Sequence, residues 1–123
     1  MMEYISLPPA RVRVGACFSE NVFSREMKRL KVANAPAFVT GTAHACVHYF
    51  DEGGDVVCIM CMDAASARRR SGIEVVGLLV HEAVHVMQEC RGWMREKEPG
   101  SEWEAYMVQH VAQFFMDKYT EAT

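Results

Sequence analysis

The feature that most constrains this chain is its most apolar stretch, Ile73 to Val80, which runs directly into His81-Glu82-Ala83-Val84-His85. Val75, Val76, Leu78, Leu79, Val80, Val84 and Met87 cover nearly the whole circumference of a helix drawn from Ile73 to Cys90. A helix that is apolar all round is a buried one. Ionisable groups inside it are costly unless they are paired or bound to a metal. The segment therefore predicts a core helix carrying two imidazoles and a carboxylate that need partners. The histidines are four residues apart, so they project from one face about one turn apart. Their nitrogens can converge on one ion, and Glu82, about 100° round the helix from His81, can reach a water on it.

The rest of the chain supplies a frame for that helix. Its 123 residues fit one domain, 1–123, with a core of its own. Hydrophobic residues make up 50% and charged residues 24%, as in ordinary globular domains. Thirteen basic residues against 16 acidic ones leave a net charge of −3, which gives no case for nucleic-acid binding. The tripeptide Arg68-Arg69-Arg70 is short and local and marks an exposed connection.

Met1-Met2-Glu3-Tyr4 has no basic leader, Pro8-Pro9 cuts off any early apolar run, and no stretch is long enough to cross a bilayer. Five cysteines, an odd number, then predict reduced thiols and a cytoplasmic protein.

Arg11 to Phe18 alternates loosely and predicts a first strand; Glu20 to Val32 predicts a helix that Asn34-Ala35-Pro36 should stop. Ala43 to Phe50 and Asp55 to Met62 predict two strands of a hairpin closed at Gly53-Gly54. Ser71 and Glu74 have the spacing of a capping box opening the His81 helix, which should end near Cys90 with Gly92 just beyond. Pro99-Gly100 predicts a turn, and Ser101 with Glu104 a second capping box opening a last helix to about Tyr119. This order predicts an α+β domain: a small, mostly antiparallel sheet packed on the His81 helix and a following C-terminal helix.

A catalytic zinc takes three protein ligands and leaves a position for water. The last helix offers Glu102, Glu104 and His110. Its apolar arc contains Trp103, Tyr106, Met107, His110, Val111 and Phe114, and Glu104 lies nearer the centre of that arc than Glu102. Glu104 is thus the preferred third ligand, with reaching back to its own cap as the competing role. Satisfied core histidines remain the alternative for His81 and His85.

His81-Glu82-Ala83-Val84-His85 followed by Glu104-Ala105-Tyr106 on the next helix resembles the gluzincin branch of zinc metallopeptidases (HExxH…E). The resemblance covers roughly the last 50 residues, and the size is similar to that of very short metallopeptidase-like proteins of bacteria and phages. It implies a zincin-like fold and Zn2+ as cofactor. It also implies His81, His85 and Glu104 as ligands and Glu82 as general base. The expected substrate is a peptide or protein, lying extended along a sheet edge supplied by the Ala43 to Met62 hairpin. Tyr106 and His110 are candidates for oxyanion or substrate contact. The chain is too short for the second subdomain that walls the cleft of large gluzincins. A zincin-scaffold binding or regulatory module with little turnover is therefore the alternative, and a hydrolase of non-peptide amides or esters a third possibility.

Cys58-Ile59-Met60-Cys61 is a single CxxC placed in a strand, where residues three apart point to opposite faces. His44, Cys46 and His48 alternate along the preceding strand and share a face. With Gly53-Gly54 as a two-residue loop, Cys46 falls opposite Cys61. Ordinary core residues are the expectation there, and a second, structural metal near Cys46 and Cys61 the alternative.

Overall fold

Gly53 and Gly54 close the hairpin as their spacing predicts. Both lie at positive φ, 62° and 91°, where glycine alone is unstrained. The computed structural model describes residues 2–94 and 100–123. The elements in chain order are β1 (Tyr4–Ser6), β2 (Val12–Cys17), α1 (Glu20–Arg29), β3 (Cys46–Glu52), β4 (Asp55–Cys61), α2 (Ala64–Ala67), α3 (Gly72–Met94) and α4 (Ser101–Ala122). The four strands form one sheet in the order β1-β2-β4-β3. β1 pairs antiparallel with β2 and β3 antiparallel with β4, while β2 and β4 run parallel. The class is the α+β arrangement that the sequence predicts.

Both faces of the sheet are covered, which is why β4 is buried from Val56 to Cys61. On one face Val12, Val14, Val56, Cys58 and Met60 pack against Val75, Leu79, Ala83 and Val86 of α3 and Val111 and Phe115 of α4. On the other, Cys17, Val57, Ile59 and Cys61 pack against Phe23 and Met27 of α1. Among the described residues no helix is long and apolar enough to cross a membrane.

Several local expectations need correction. α1 stops at Arg29, short of Val32, because Lys31 adopts φ 58°. The amide of Val32 then returns to Met27 O and that of Lys31 to Lys28 O, a Schellman ending made without glycine. β3 starts at Cys46, so Ala43 and His44 precede it in the loop. β1 and α2 were not expected.

Ser71 caps α3 as predicted, accepting from the Glu74 amide at 3.2 Å. α3, however, passes through Gly92 to Met94. At α4 the cap residue is Gly100 and makes no side-chain cap bond; Ser101 is already helical. The expected Ser101–Glu104 box is absent, which leaves the Glu104 carboxylate available to other partners. The predicted Pro99-Gly100 turn falls partly outside the described residues, at Pro99.

Candidate metal centre

α3 is not buried all round. Its sheet face carries Val75, Leu79, Ala83, Val86 and Cys90, whereas Ile73, Val76 and Val80 are open to solvent on the other side. His81 and His85 share that open side, and Glu82 alone of the three is turned inward, 5% exposed. The expectation of two histidines in a closed core is therefore corrected to an accessible pair flanking a buried carboxylate.

The two imidazoles meet. His85 Nε2 lies 3.2 Å from His81 Nε2, and the rings stand edge to face with centroids 4.8 Å apart. Two nitrogens bound at about 2.05 Å to one tetrahedral zinc are about 3.3 Å apart, so the pair is already spaced as two ligands. On the far side of the ring, His85 Nδ1 lies 3.1 Å from the Gln88 side-chain oxygen. That oxygen can only accept, so Nδ1 carries the proton and the His85 Nε2 lone pair is free to bind. His81 Nε2–H donates to it.

Burial raises the pKa of Glu82, and the neighbouring His81 and His85 partly offset this. A carboxylate held above its ordinary range is better matched to accepting a proton near neutrality.

The third predicted ligand stands elsewhere. Glu104 is turned inward on α4 and Glu102 outward, as their angles require. The Glu104 carboxylate, however, meets Arg91 of α3, with Oε1 3.4 Å from Nε. Among the described residues no group of three or more His, Cys, Asp or Glu is gathered so as to hold an ion. The structure brings His81 and His85 together but not Glu104, whose carboxylate the Arg91 guanidinium attracts. Tyr106, 66% exposed, and His110 lie on the outer side of α4, away from its packed arc.

The sequence pattern missed Tyr49. It stands on the edge strand β3, and its hydroxyl donates to the backbone carbonyl of His85 at 3.5 Å. Burial, reinforced by neighbours that include Glu89 and Glu82, raises its pKa, so it keeps its proton beside the histidines. The signal was present as an aromatic in the hairpin strand, but only the β3–α3 packing identifies its partner. A groove of about 330 Å³ lies between the loop before β3, α2 and α3, lined in part by Phe38, His44, Asp63, Arg70 and Leu78. Leu78 is three, four and seven residues before His81, Glu82 and His85, so the groove opens on the same face of α3.

For the alternative of a second metal near Cys46 and Cys61, no group of three or more candidate ligands is gathered among the described residues, and His44 lies outside the strand. Comparison with protein families, with curated proteins and with solved structures gave no match.

Proposed function

We propose that this chain is a small zinc-dependent hydrolase of the metallopeptidase type. The observation that carries the proposal is the 3.2 Å Nε2–Nε2 spacing of His81 and His85 beside a carboxylate that is 5% exposed. His81 and His85 would hold the ion, and Glu104, paired with Arg91 here, would be the third ligand. Zinc bound there supplies Lewis acidity and a nucleophile at neutral pH. Glu82 accepts the proton from that nucleophile and passes it to the leaving amine. Gln88 holds His85 in the binding tautomer. Turned from the His85 carbonyl, the Tyr49 hydroxyl would donate a hydrogen bond to developing negative charge on a substrate seated beside His85.

The substrate class follows from the sheet. β3 is an edge strand, and it begins where the groove ends. An extended peptide adding to that edge gains main-chain hydrogen bonds and passes over the open face of α3.

The test is zinc content and hydrolysis of labelled casein by the full chain and by Glu82→Gln. Expected are one zinc per chain in both and a loss of hydrolysis of about 10²- to 10⁴-fold in the variant. Absence of zinc, or hydrolysis that survives Glu82→Gln, removes the proposal.

One observation favours a second reading, a zinc-binding or regulatory module without turnover: the Arg91–Glu104 ion pair occupies the third ligand. Zinc held without hydrolysis, and unchanged by Glu104→Gln, selects it.

A further inference from the structure

Three strands place three thiols in a row beneath α1. Cys17 of β2 and Cys46 of β3 are in register with Cys61 of β4 from either side. Cys61 stands between the two, and its thiol interacts electrostatically with both neighbours. Only Cys46 is half-exposed; Cys17 and Cys61 are 1% and 0% exposed. Cys46 also has an imidazole beside it, with Sγ 3.4 Å from His48 Nε2. That nitrogen lies 3.0 Å from the Phe38 carbonyl, which fixes the proton on it. His48 is itself buried and packed on Phe23 with centroids 5.3 Å apart, so its ring is held beside the sulfur, and Cys46 Sγ shares the Phe38 carbonyl with it at 3.5 Å.

We propose that Cys46 and Cys61 form a reversible dithiol–disulfide pair, with Cys46 the attacking sulfur, Cys61 the resolving one, and a small disulfide of the glutathione type the oxidant. The register supports the bond directly. Opposed residues of an antiparallel pair have Cα atoms about 4.5–5.5 Å apart, inside the roughly 4.4–6.8 Å span of protein disulfides.

In the first step the Cys46 thiolate attacks glutathione disulfide. One Cys46–glutathione S–S bond forms as the reagent's own S–S bond breaks, and one glutathione thiolate leaves. In the second, Cys61 gives its proton to that leaving thiolate and attacks the Cys46 sulfur. The Cys46–Cys61 bond forms and the second glutathione thiolate departs, taking up a proton from solvent. Two protein thiols are oxidised and one small disulfide is reduced to two thiols.

Proton placement agrees with these roles. The Cys61 thiol first, and His48 after it, bring Cys46 down to about 4 against the effect of burial, while Cys17 first, and Cys46 after it, push Cys61 up. Glu82, on the α3 side, is also within electrostatic reach of Cys46. Cys61 has one proton and can serve one neighbour at a time; the partly exposed Cys46, not the enclosed Cys17, is the one a reagent meets. Cys58 and Cys90 lie in the other core layer, where burial raises both.

The test treats the full chain with glutathione disulfide, alkylates the remaining thiols after acid quench, and maps peptides by mass spectrometry. Expected is a single Cys46–Cys61 link with Cys17, Cys58 and Cys90 alkylated. In Cys61→Ser, glutathione stays trapped on Cys46. A different pairing, no pairing, or glutathione caught first on Cys17 or Cys61 overturns the proposal.

A second measurement needs no variant: the rate of iodoacetamide reaction at Cys46 against pH. A free thiol of pKa about 8.5 gains roughly 75-fold in thiolate between pH 6 and pH 8. Cys46 is expected to change less than about 2-fold over that interval. A rise that follows the free thiol also overturns the proposal.

Discussion

Replacing Arg91 by Met should tighten zinc binding. Arg91 Nε and Glu104 Oε1 are 3.4 Å apart, with the side chains 37% and 30% exposed. An ion pair that open to water is worth about 0.2–1 kcal/mol. Glu104 must give it up to become a ligand, so the pair subtracts that amount from the binding free energy. Methionine keeps most of the aliphatic stem of Arg91 and removes the charge. The expected gain is therefore about 1.4- to 5-fold in Kd for zinc.

The assay is titration of chelator-stripped protein with zinc against a chromophoric competitor, at low and high salt. Salt screens the pair, so wild type should move toward Arg91→Met as ionic strength rises, while the variant responds less. Glu104→Gln, in contrast, should weaken binding by more than about 10-fold, since even partners one shell further out contribute that much. If Arg91→Met binds zinc no better than wild type and Glu104→Gln binds it as well, Glu104 is a structural partner of Arg91 and the three-ligand centre is refuted.

Two further predictions concern the α1 side of the sheet. Glu26, 4% exposed, accepts from Arg29 at 2.8 Å and 2.6 Å and from the Tyr4 hydroxyl, and the Arg29 bonds first, then Tyr4, hold its pKa below the ordinary value. A carboxylate lowered in the fold contributes stability above its unfolded pKa of about 4.3 and loses it as pH falls through the folded value, so Glu26→Gln should cost about 1–3 kcal/mol at neutral pH and little in strong acid. Urea melts at both ends of that range check this; an equal cost at both contradicts it. Gly15→Ala should destabilise by about 1–3 kcal/mol through overpacking, because a Cβ there would stand 2.8 Å from the Tyr4 ring, which Glu26 holds in place. A thermal melt unchanged by the substitution would show that the ring can give way.

The fold was most legible where one residue type dictates one backbone geometry. Gly53-Gly54 fixed the turn, and through it the register that sets Cys46 opposite Cys61. Ser71 with Glu74 fixed the start of α3. Legibility failed where tertiary context overrode the local signal. Lys31 ends α1 in a conformation that glycine usually supplies, and Gly92 continues a helix that it should have ended. β1 has only three residues, too few to show a period, and its pairing with β2 is what makes it a strand.

The two chemical features divide along the same line. His81, Glu82 and His85 lie within five residues, so helix geometry alone brings the imidazoles together; their meeting at 3.2 Å was implicit in the spacing. Which side of the helix faced solvent was not, because Val76 and Val80 read as core and stand exposed. Glu104 depends on a competition that no motif encodes. Its helix angle turns it inward, where the Arg91 guanidinium offers it an opposite charge. The thiol row is legible only in half for a related reason: Cys46 and Cys61 share a hairpin, whereas Cys17 joins them through the parallel β2–β4 pairing across a long connection. In both places what escaped the sequence is the choice among partners that folding brings within reach. For Glu104 the partner is Arg91, and the zinc titration tests the proposal that it also serves the histidines.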